Sequence, residues 1–271
     1  KPIDDGNYLF TTEQRDAFVA MEPASKKWFR RWLGADEFLN GYERWCLWLG
    51  DCPPAELRAM PHAMQRVQAV KAFRLASKSA PTQKLAVTPT RFHVENMPAA
   101  PYLVLPEVSS ERRAFIPLGF EQPTTFCSNL VKIAPNATTY EFGILSSTMH
   151  NAWVRYTCGR LESRYRYSAG IVYNNYPWPQ DLTDKQREAV RVAAQGVLDA
   201  RAEHQKAKKG TPPASLADLY NPTTMPANLT KAHAALDKAV DAAYGKKGLK
   251  TDAERVAFLF TLYEQITSPL A

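Results

Sequence analysis

Polar and apolar residues alternate strictly in the segment that follows Gly159, and this alternation predicts an extended strand. The charged positions are Arg160, Glu162, Arg164 and Arg166, and the positions between and after them are Leu161, Ser163, Tyr165, Tyr167 and Ala169. Residues two apart on a helix point in nearly opposite directions, so only a strand places one such set on one face. We therefore expect a straight strand that presents three arginines and a carboxylate in one row.

The chain before this strand predicts helices first and short strands later. The segment 11–14 can cap a helix that reaches Met21, and further helices are expected over Ser25–Leu33 and Leu57–Lys78. Tyr42–Leu49 is apolar enough for a buried strand or a short helix. A meandering antiparallel sheet is then expected from four strands, Arg91–Glu95, Tyr102–Leu105, Arg113–Leu118 and Asn129–Ile133. A helix over Thr138–Thr157 is expected to follow the sheet.

Beyond Pro177-Trp178-Pro179 the chain becomes alanine-rich, charged and helical in pattern. Capping boxes predict two helix starts, Thr183 with Gln186 for a helix to about Gln205, and Thr251 with Glu254 for a helix to Ile266. Between these helices lies a basic connector, Lys206–Ala214. Two helical segments follow it, Ser215–Tyr220 and Lys231–Tyr244, the second with Gly245 at its C-terminal end. The fold class is therefore α+β: a mixed α/β domain with a short-stranded antiparallel sheet over residues 1–180, and a small all-α domain over residues 181–271.

The composition favours a polyanionic partner. The 271 residues contain 34 Lys+Arg against 27 Asp+Glu, for a net charge of +7. The four cysteines show no spacing typical of a zinc site and are expected to be free thiols in a reducing compartment. Since no apolar run approaches the roughly 20 residues that cross a bilayer, we expect a soluble, cytoplasmic protein without a membrane partner. The chain begins at Lys1 without an initiator methionine, so we also expect a fragment of a longer protein.

The charged row of the predicted strand has the chemistry of a major-groove reader. An arginine fork matches the O6/N7 edge of guanine, and a carboxylate accepts from the N4 amino group of cytosine. The alternative is a solvated sheet edge, on which Glu162 only pairs with Arg160 or Arg164. Both interpretations stay open on these residues alone.

The common catalytic constellations are missing from the sequence. It contains no glycine-rich phosphate or dinucleotide loop, no HExxH and no nucleophile elbow. His150 follows Ser146 by four residues, which fits a packed histidine bonded to a serine hydroxyl better than a catalytic pair. Asn174-Asn175-Tyr176-Pro177-Trp178 is only loosely similar to the tetrapeptide of amino-methyltransferases, because a tyrosine stands where its first proline belongs.

Several motifs in a fixed order carry a family resemblance over nearly the whole chain. They are RWCLWL (Arg44–Leu49), SSERRAFIPLGF (Ser109–Phe120), FGILSSTMHNAWVRYTCGRLESRYRYS (Phe142–Ser168), IVYNNYPWP (Ile171–Pro179), and SLADLYNPTTMP followed by AHAALDKAVDAAYG. This set resembles the C-terminal portion of MmeI-like type IIL restriction and modification enzymes and their adenine-methyltransferase relatives. The resemblance implies a target-recognition domain and a helical C-terminal domain. The nuclease and methyltransferase domains that precede them in the family are not in this chain.

The resemblance also implies roles for particular residues. The family places the segment after its MHxAWxRxxxGRL helix against base edges, which here points to Glu162, Arg164 and Arg166; Leu130–Lys132 fall near a second such region. S-adenosylmethionine, with Mg²⁺ if the parent cleaves, would bind in the missing domains. The implied partners are double-stranded DNA and an upstream methyltransferase domain of the same polypeptide.

We therefore expect sequence-specific recognition of double-stranded DNA, with Glu162 and Arg164 reading one C:G pair and Arg166 an adjacent base. Six further cations are candidates for phosphate contacts: Arg155, Arg160, Lys71, Arg74, Lys26 and Arg30. No catalytic residue and no metal ligand is predicted in this chain. We expect it to be a fragment of a site-specific DNA adenine methyltransferase, either stand-alone or bifunctional with an endonuclease. Two other functions stay open, a non-catalytic protein-interaction module and an enzyme of unrecognised chemistry.

Overall fold

Short strands and helices both occur in the first two thirds of the chain, and the described residues after position 180 form helices without strands. The computed structural model describes residues 2–95, 97–206 and 212–268. The strands are β1 (Leu9–Thr11), β2 (Phe29–Leu33), β3 (Arg44–Leu47), β4 (Tyr102–Pro106), β5 (Val108–Ser109), β6 (Gly119–Glu121), β7 (Thr125–Cys127), β8 (Val131–Pro135), β9 (Gly159–Leu161) and β10 (Arg164–Arg166).

The α-helices are α1 (Thr12–Met21), α2 (Ala35–Asn40), α3 (Pro54–Arg58), α4 (Pro61–Leu75), α5 (Ala80–Lys84), α6 (Thr139–Ser146), α7 (Thr148–Thr157), α8 (Asp184–Gln205), α9 (Leu216–Leu219), α10 (Ala227–Ala243) and α11 (Asp252–Thr267). Two 3₁₀ segments, Pro23–Trp28 and Leu85–Val87, and a π-helical turn at Ala169–Tyr173 complete the regular structure of the described residues. The predicted α+β class is confirmed, and none of the described helices has the length and apolar character to cross a membrane.

The strands form three small sheets. One has the order β1-β3-β2-β7, in which only β2 and β7 are parallel. The others are antiparallel and have the orders β6-β4-β8 and β5-β10-β9. Contacts divide the chain into two compact units. The first consists of Lys1–Glu37, Tyr42–Ala99 and Gln122–Asn129, and the second of Phe38–Gly41, Ala100–Glu121 and Leu130–Ala271. The boundary predicted after residue 180 lies within the second unit and stays a prediction.

Aromatic residues pack together in the core of the first unit. Their packing explains why the helix predicted over Ser25–Leu33 does not form. The expected helix over Ser25–Leu33 is a 3₁₀ turn followed by strand β2. Phe29 packs edge-on against Phe10 and Phe18, at ring-centroid distances of 5.1 and 5.9 Å, while β2 bonds to β3 and to β7. These partners are distant in sequence, and their packing overrides the local helical pattern. Tyr42–Leu49, for which strand and helix were both open, contains the central strand β3.

Arg74 is the largest fully buried side chain of this unit, and its guanidinium holds loop backbone together. Its donors reach five carbonyl oxygens, those of Pro2, Ile3, Leu85, Thr88 and Arg91, at 2.8–3.0 Å. Burial is the main cause of the lowered pKa of Arg74, with Tyr8 and Asp4 opposing it. A guanidinium in this position cannot reach a phosphate, so the phosphate contact predicted for Arg74 is not supported.

Replacement of Arg74 by methionine is expected to destabilise the protein by about 3 kcal/mol or more, because buried carbonyls lose their donors. Urea unfolding of Arg74→Met measures the loss. Lys71→Met, one turn earlier on the exposed face of α4, is the matched control and should change stability by less than about 0.5 kcal/mol. Equal effects of the two substitutions would contradict the role of Arg74.

Three helices of the second unit approach one another at Gly143. A Cβ atom there would lie 2.9 Å from Val190 of α8 and 3.3 Å from Leu236 of α10, so α6 can pack closely only with glycine at this position. The predicted capping boxes of α8 and α11 are confirmed, and the segment 11–14 caps α1 as expected, through a capping box of Thr11 and Gln14. Helix α10 begins earlier than expected, at Ala227, and ends at Ala243, one residue before the predicted end at Tyr244. Tyr244 is its C-cap, and Gly245, which was expected in that position, follows with a φ of +66°.

Other expected elements differ from the structure. Arg91–Glu95 is not a strand, because the Glu95 carboxylate binds the backbone N–H of Phe92 and the side chain of Arg91 in a compact turn. Arg113–Leu118 is irregular as well. The helix expected over Thr138–Thr157 breaks at Ser147, which caps α7. Leu57–Lys78 consists of the end of α3 and the separate helix α4, and part of the connector, residues 207–211, lies outside the described residues.

Candidate nucleic-acid interface

The charged segment after Gly159 is a β-hairpin, so the prediction of one straight strand is wrong. Strands β9 and β10 pair through Leu161 with Arg164, Arg160 with Tyr165 and Gly159 with Arg166. Glu162 and Ser163 form the two-residue turn, and Glu162 has a φ of +58°, a left-handed conformation that favours glycine. The carboxylate of Glu162 therefore stands at the tip of the hairpin.

The hairpin separates the arginines that the alternation placed in one row. Residues directly opposite each other in an antiparallel pair share a face, so Arg164 and Arg166 lie with Leu161 on the exposed face. Arg160 lies on the other face with Tyr165, and its guanidinium carbon is 4.2 Å from the centroid of the tyrosine ring. Arg160 is therefore not part of the row formed by Glu162, Arg164 and Arg166.

Two carboxylates orient the exposed arginines. Glu162 Oε2 accepts from Arg164 Nη2 at 2.8 Å, and Glu107 Oε1 accepts from Arg166 Nε at 3.0 Å. The side chains of Glu162, Arg164 and Arg166 are 77, 46 and 58% exposed, so the pairs hold the guanidinium groups without removing them from solvent. A carboxylate at the hairpin tip and two exposed arginine forks along β10 can bind the polar edges of bases.

Glu107 is the site residue that the sequence analysis missed. It lies between β4 and β5, and its second oxygen, Oε2, accepts from Lys132 Nζ of β8 at 2.9 Å. Burial raises the pKa of Glu107, but hydrogen bonds from Lys132 and Arg166 outweigh this effect and leave the pKa below its usual value. No local pattern marks Glu107, because its partners are distant in sequence. The expectation that Leu130–Lys132 lie near a second recognition region stays a prediction, but Lys132 and Arg166 do share this carboxylate.

A buried tyrosine fixes the end of β10 to helix α7. The N–H of Tyr167 donates to the Glu107 carbonyl at 2.7 Å, and its hydroxyl lies 3.1 Å from His150 Nε2. His150 Nδ1 donates to the Leu145 carbonyl at 2.8 Å, which leaves Nε2 to accept from Tyr167. Burial lowers the pKa of His150 to about 4, despite the bond to Leu145. His150 is thus a packed histidine, as expected, but its hydroxyl partner is Tyr167 and not Ser146.

The remaining predicted cations are placed very differently. Arg155 donates to Asp252 Oδ2 at 2.6 Å and to the Ala114 carbonyl at 2.5 Å, so its fork is already bound. Arg160 donates to the carbonyls of Ser163 and Arg155 but stays exposed. In the first unit, Lys26 and Lys71 are exposed, and Arg30 is half-buried with bonds to the carbonyls of Lys27 and Phe29. Within the described residues no group of three or more His, Cys, Asp or Glu side chains is arranged to hold a metal ion.

Two family profiles cover the chain. Residues 1–180 match the target recognition domain of MmeI, and residues 182–271 match the C-terminal domain of MmeI. The chain belongs to the MmeI family. The hairpin with Glu162, Arg164 and Arg166, and also Glu107 and Lys132, thus lie within the part that matches the MmeI target recognition domain.

Two relatives of the MmeI family show how the chain compares with known proteins. DNA methyltransferase A of Bacillus subtilis (strain 168) is 39% identical over 267 residues, which are 98% of this chain and 29% of that protein. The structure of the type IIL restriction-modification enzyme MmeI in complex with DNA superposes with a TM-score of 0.94 at 49% identity, over 99% of this chain and 35% of that one. The chain thus spans about a third of the length of either relative.

The stabilising effect of Glu107 is expected to depend on pH. Because its pKa is lowered in the folded protein, the carboxylate adds stability above the usual glutamate pKa, and this contribution disappears as the pH falls through the folded value. Glu107→Gln should therefore be less stable than the unaltered protein by about 1 kcal/mol at neutral pH, with a smaller difference at acidic pH. Urea unfolding of both proteins across this range measures the difference, and a gap independent of pH would contradict the role of the charge.

Proposed function

We propose that this chain recognises a specific base sequence in double-stranded DNA, as the target-recognition region of a larger DNA adenine methyltransferase or type IIL restriction-modification enzyme. Residues 1–180 form the recognition domain and residues 181–271 a helical C-terminal domain. The observation that carries the proposal is the exposed row of Glu162, Arg164 and Arg166 within the residues that match the MmeI target recognition domain. The likeness to a MmeI chain in complex with DNA supports the same function.

Glu162 and Arg164 jointly read one C:G base pair in this proposal. The Glu162 carboxylate accepts from the cytosine N4 amino group, and the Arg164 guanidinium donates to guanine O6 and N7. The mutual ion pair of these side chains at 2.8 Å supports the assignment, since it places acceptor and donor side by side, as they are across a base pair. Arg166 contacts an adjacent base with its two terminal nitrogens, because its Nε is bound to Glu107.

Exposed cations contact phosphates and position the protein without reading sequence. Lys26 and Lys71 remain in this role. Arg30, although half-buried, and Arg160, which stays exposed although it donates to two carbonyls, remain as well, whereas Arg74 and Arg155 are bound within the protein. The net charge of +7 supports binding to a polyanion, and such binding weakens as salt increases.

Catalysis belongs to other parts of the parent protein. S-adenosylmethionine, and Mg²⁺ if the parent cleaves DNA, would bind in domains upstream of this region, and the protein would act in the cytoplasm. The chain spans 29 and 35% of its two relatives, which leaves room in a parent of that size for such domains. The described residues contain no metal-binding cluster, and the sequence has no intact methyltransferase tetrapeptide, so we assign no step of methyl transfer or cleavage to them.

The proposal predicts different effects for a base-reading and a phosphate-binding residue. Arg164→Ala should cost about 1 to 3 kcal/mol of binding to the preferred duplex and relax discrimination at one base pair. Lys71→Ala is the matched control, and it should weaken binding to all sequences alike and reduce the slope of the salt dependence by about one.

Selection from a library of duplexes with a randomised segment gives the preferred sequence, and fluorescence anisotropy at several salt concentrations gives the affinities. If Arg164→Ala weakened binding to every duplex equally, its base-reading role would be wrong. If the unaltered chain selected no sequence at all, the proposed function itself would be wrong.

A further inference from the structure

Helix α7 leads directly into the recognition hairpin. It ends at Thr157, a single residue follows, and β9 begins at Gly159. No flexible loop separates helix and strand, so the orientation of α7 sets the direction of the hairpin together with the pairing of β10 to β5. The groups that hold α7 therefore also control where Glu162 and Arg164 point.

Side chains of the C-terminal helices hold α7 at both ends. At its beginning, Asp237 of α10 accepts from the backbone N–H of Thr148 at 2.7 Å and from the Thr148 hydroxyl at 2.6 Å. At its other end, Asp252 of α11 accepts from Arg155 Nη1 at 2.6 Å. Between these points, Trp153 packs on Phe260 and Tyr263 of α11, with ring centroids 5.2 and 6.1 Å apart.

Arg155, the residue that binds Asp252, is also connected to the turn of the hairpin through Arg160. The backbone carbonyl of Arg155 accepts from Arg160 Nη2 at 3.3 Å, and Arg160 Nη1 donates at 3.0 Å to the carbonyl of Ser163. Ser163 is the turn residue next to Glu162, and the guanidinium of Arg160 also covers the ring of Tyr165. A short series of bonded groups thus connects the first turn of α11 with the hairpin tip.

Asp252 is itself well fixed. It occupies the first turn of α11, whose start is held by the capping box of Thr251 and Glu254. Arg255, one turn later, donates to the Leu249 carbonyl at 2.9 Å and lies 3.4 Å from Asp241 Oδ2 of α10. A carboxylate on such an anchored helix end can hold Arg155 in one position, which is what precise base contacts require of their supporting groups.

We propose that Asp252 is a positioning residue for base recognition: through Arg155 and Arg160 it fixes the hairpin that carries Glu162 and Arg164, so that the C-terminal helices help to set sequence specificity. The proposal rests on the proposed function for its DNA readout, but the hold on the hairpin is a property of the protein alone. Arg155 and Asp252 are half-buried, with 23 and 36% of the side chains accessible, and a single ion pair of this kind contributes only a small part of the total stability of a protein. Loss of the pair should therefore alter the aim of the hairpin without unfolding the chain.

The test compares Asp252→Asn with Asp184→Asn in the full 271-residue chain. Asp184 is the first residue of α8 and also follows a threonine that forms a capping box, so the control removes the same charge at the same helix position. Hydrogen–deuterium exchange followed by mass spectrometry reports on the hairpin without DNA. We expect several-fold faster amide exchange in residues 158–168 of Asp252→Asn and no change there in Asp184→Asn.

The second readout is selection from the randomised duplex library. Asp252→Asn should lower the preference at the base pair that Arg164→Ala affects by roughly two- to thirtyfold, with unchanged affinity for random-sequence DNA. Asp252→Glu, which keeps the carboxylate, should restore most of the preference. A residue with only a structural role would instead lower all affinities together with the melting temperature.

The outcomes distinguish this inference from the proposed function. The role of Asp252 would be overturned if Asp252→Asn and Asp184→Asn showed the same amide exchange in residues 158–168 and selected the same DNA sequence. DNA recognition by the chain would stand in that case. If the unaltered chain shows no sequence preference, the proposed function fails, and the exchange rates alone then decide whether Asp252 holds the hairpin.

Discussion

A long flexible cation on a three-residue strand cannot point in a fixed direction unless a second group holds its end, and the candidate interface depends on this constraint. Arginine has about 2 kcal/mol of rotamer entropy to lose on immobilisation. Glu107 removes part of this freedom in the unbound protein, because it binds Arg166 from β10 and Lys132 from β8 with its two oxygens. The carboxylate also joins the two small antiparallel sheets, so the same ion pairs orient the arginine and support the fold.

The two carboxylates of the interface differ in a way that suits their proposed roles. Glu107 is largely shielded, with 13% of its side chain exposed, whereas Glu162 is 77% exposed at the hairpin tip. A shielded carboxylate interacts strongly with its partners and has little contact with solvent or ligand. An exposed one contributes little to stability and can exchange its arginine for a base at small cost. Glu107 is thus suited to orient the Arg166 side chain, and Glu162 is suited to bind a DNA base.

Local signals in the sequence predicted some elements correctly. The capping boxes of α1, α8 and α11 involve residues three apart, so their geometry does not depend on the rest of the chain. Strand β2 was missed because its partners β3 and β7 are brought to it by the tertiary fold. Arg74 was mistaken for a surface cation, since nothing in a helical pattern shows that the loops before and after α4 would close over it.

The hairpin shows how a correct pattern can lead to a wrong geometry. Alternation predicted extended backbone, and β9 and β10 are extended. A two-residue turn, however, brings residues of opposite parity onto one face, so Arg160 joins Tyr165 and leaves the row of Arg164 and Arg166. The predicted base-reading set of Glu162, Arg164 and Arg166 does not include Arg160. Arg164 and Arg166 share the exposed face of β10, and Glu162 lies at the turn next to Arg164.

Exposed charged residues and buried tyrosines alternate along the hairpin, and they tolerate substitution to different degrees. Glu162 and Arg164 project from the surface, and surface substitutions usually change stability by less than about 0.5 kcal/mol. Tyr165 and Tyr167 alternate with them in the chain and are buried, where truncation of a large side chain costs about 3 to 5 kcal/mol. Residues adjacent in sequence are therefore under opposite constraints. The chemistry of the exposed side chains can therefore change while the buried scaffold that orients them stays the same.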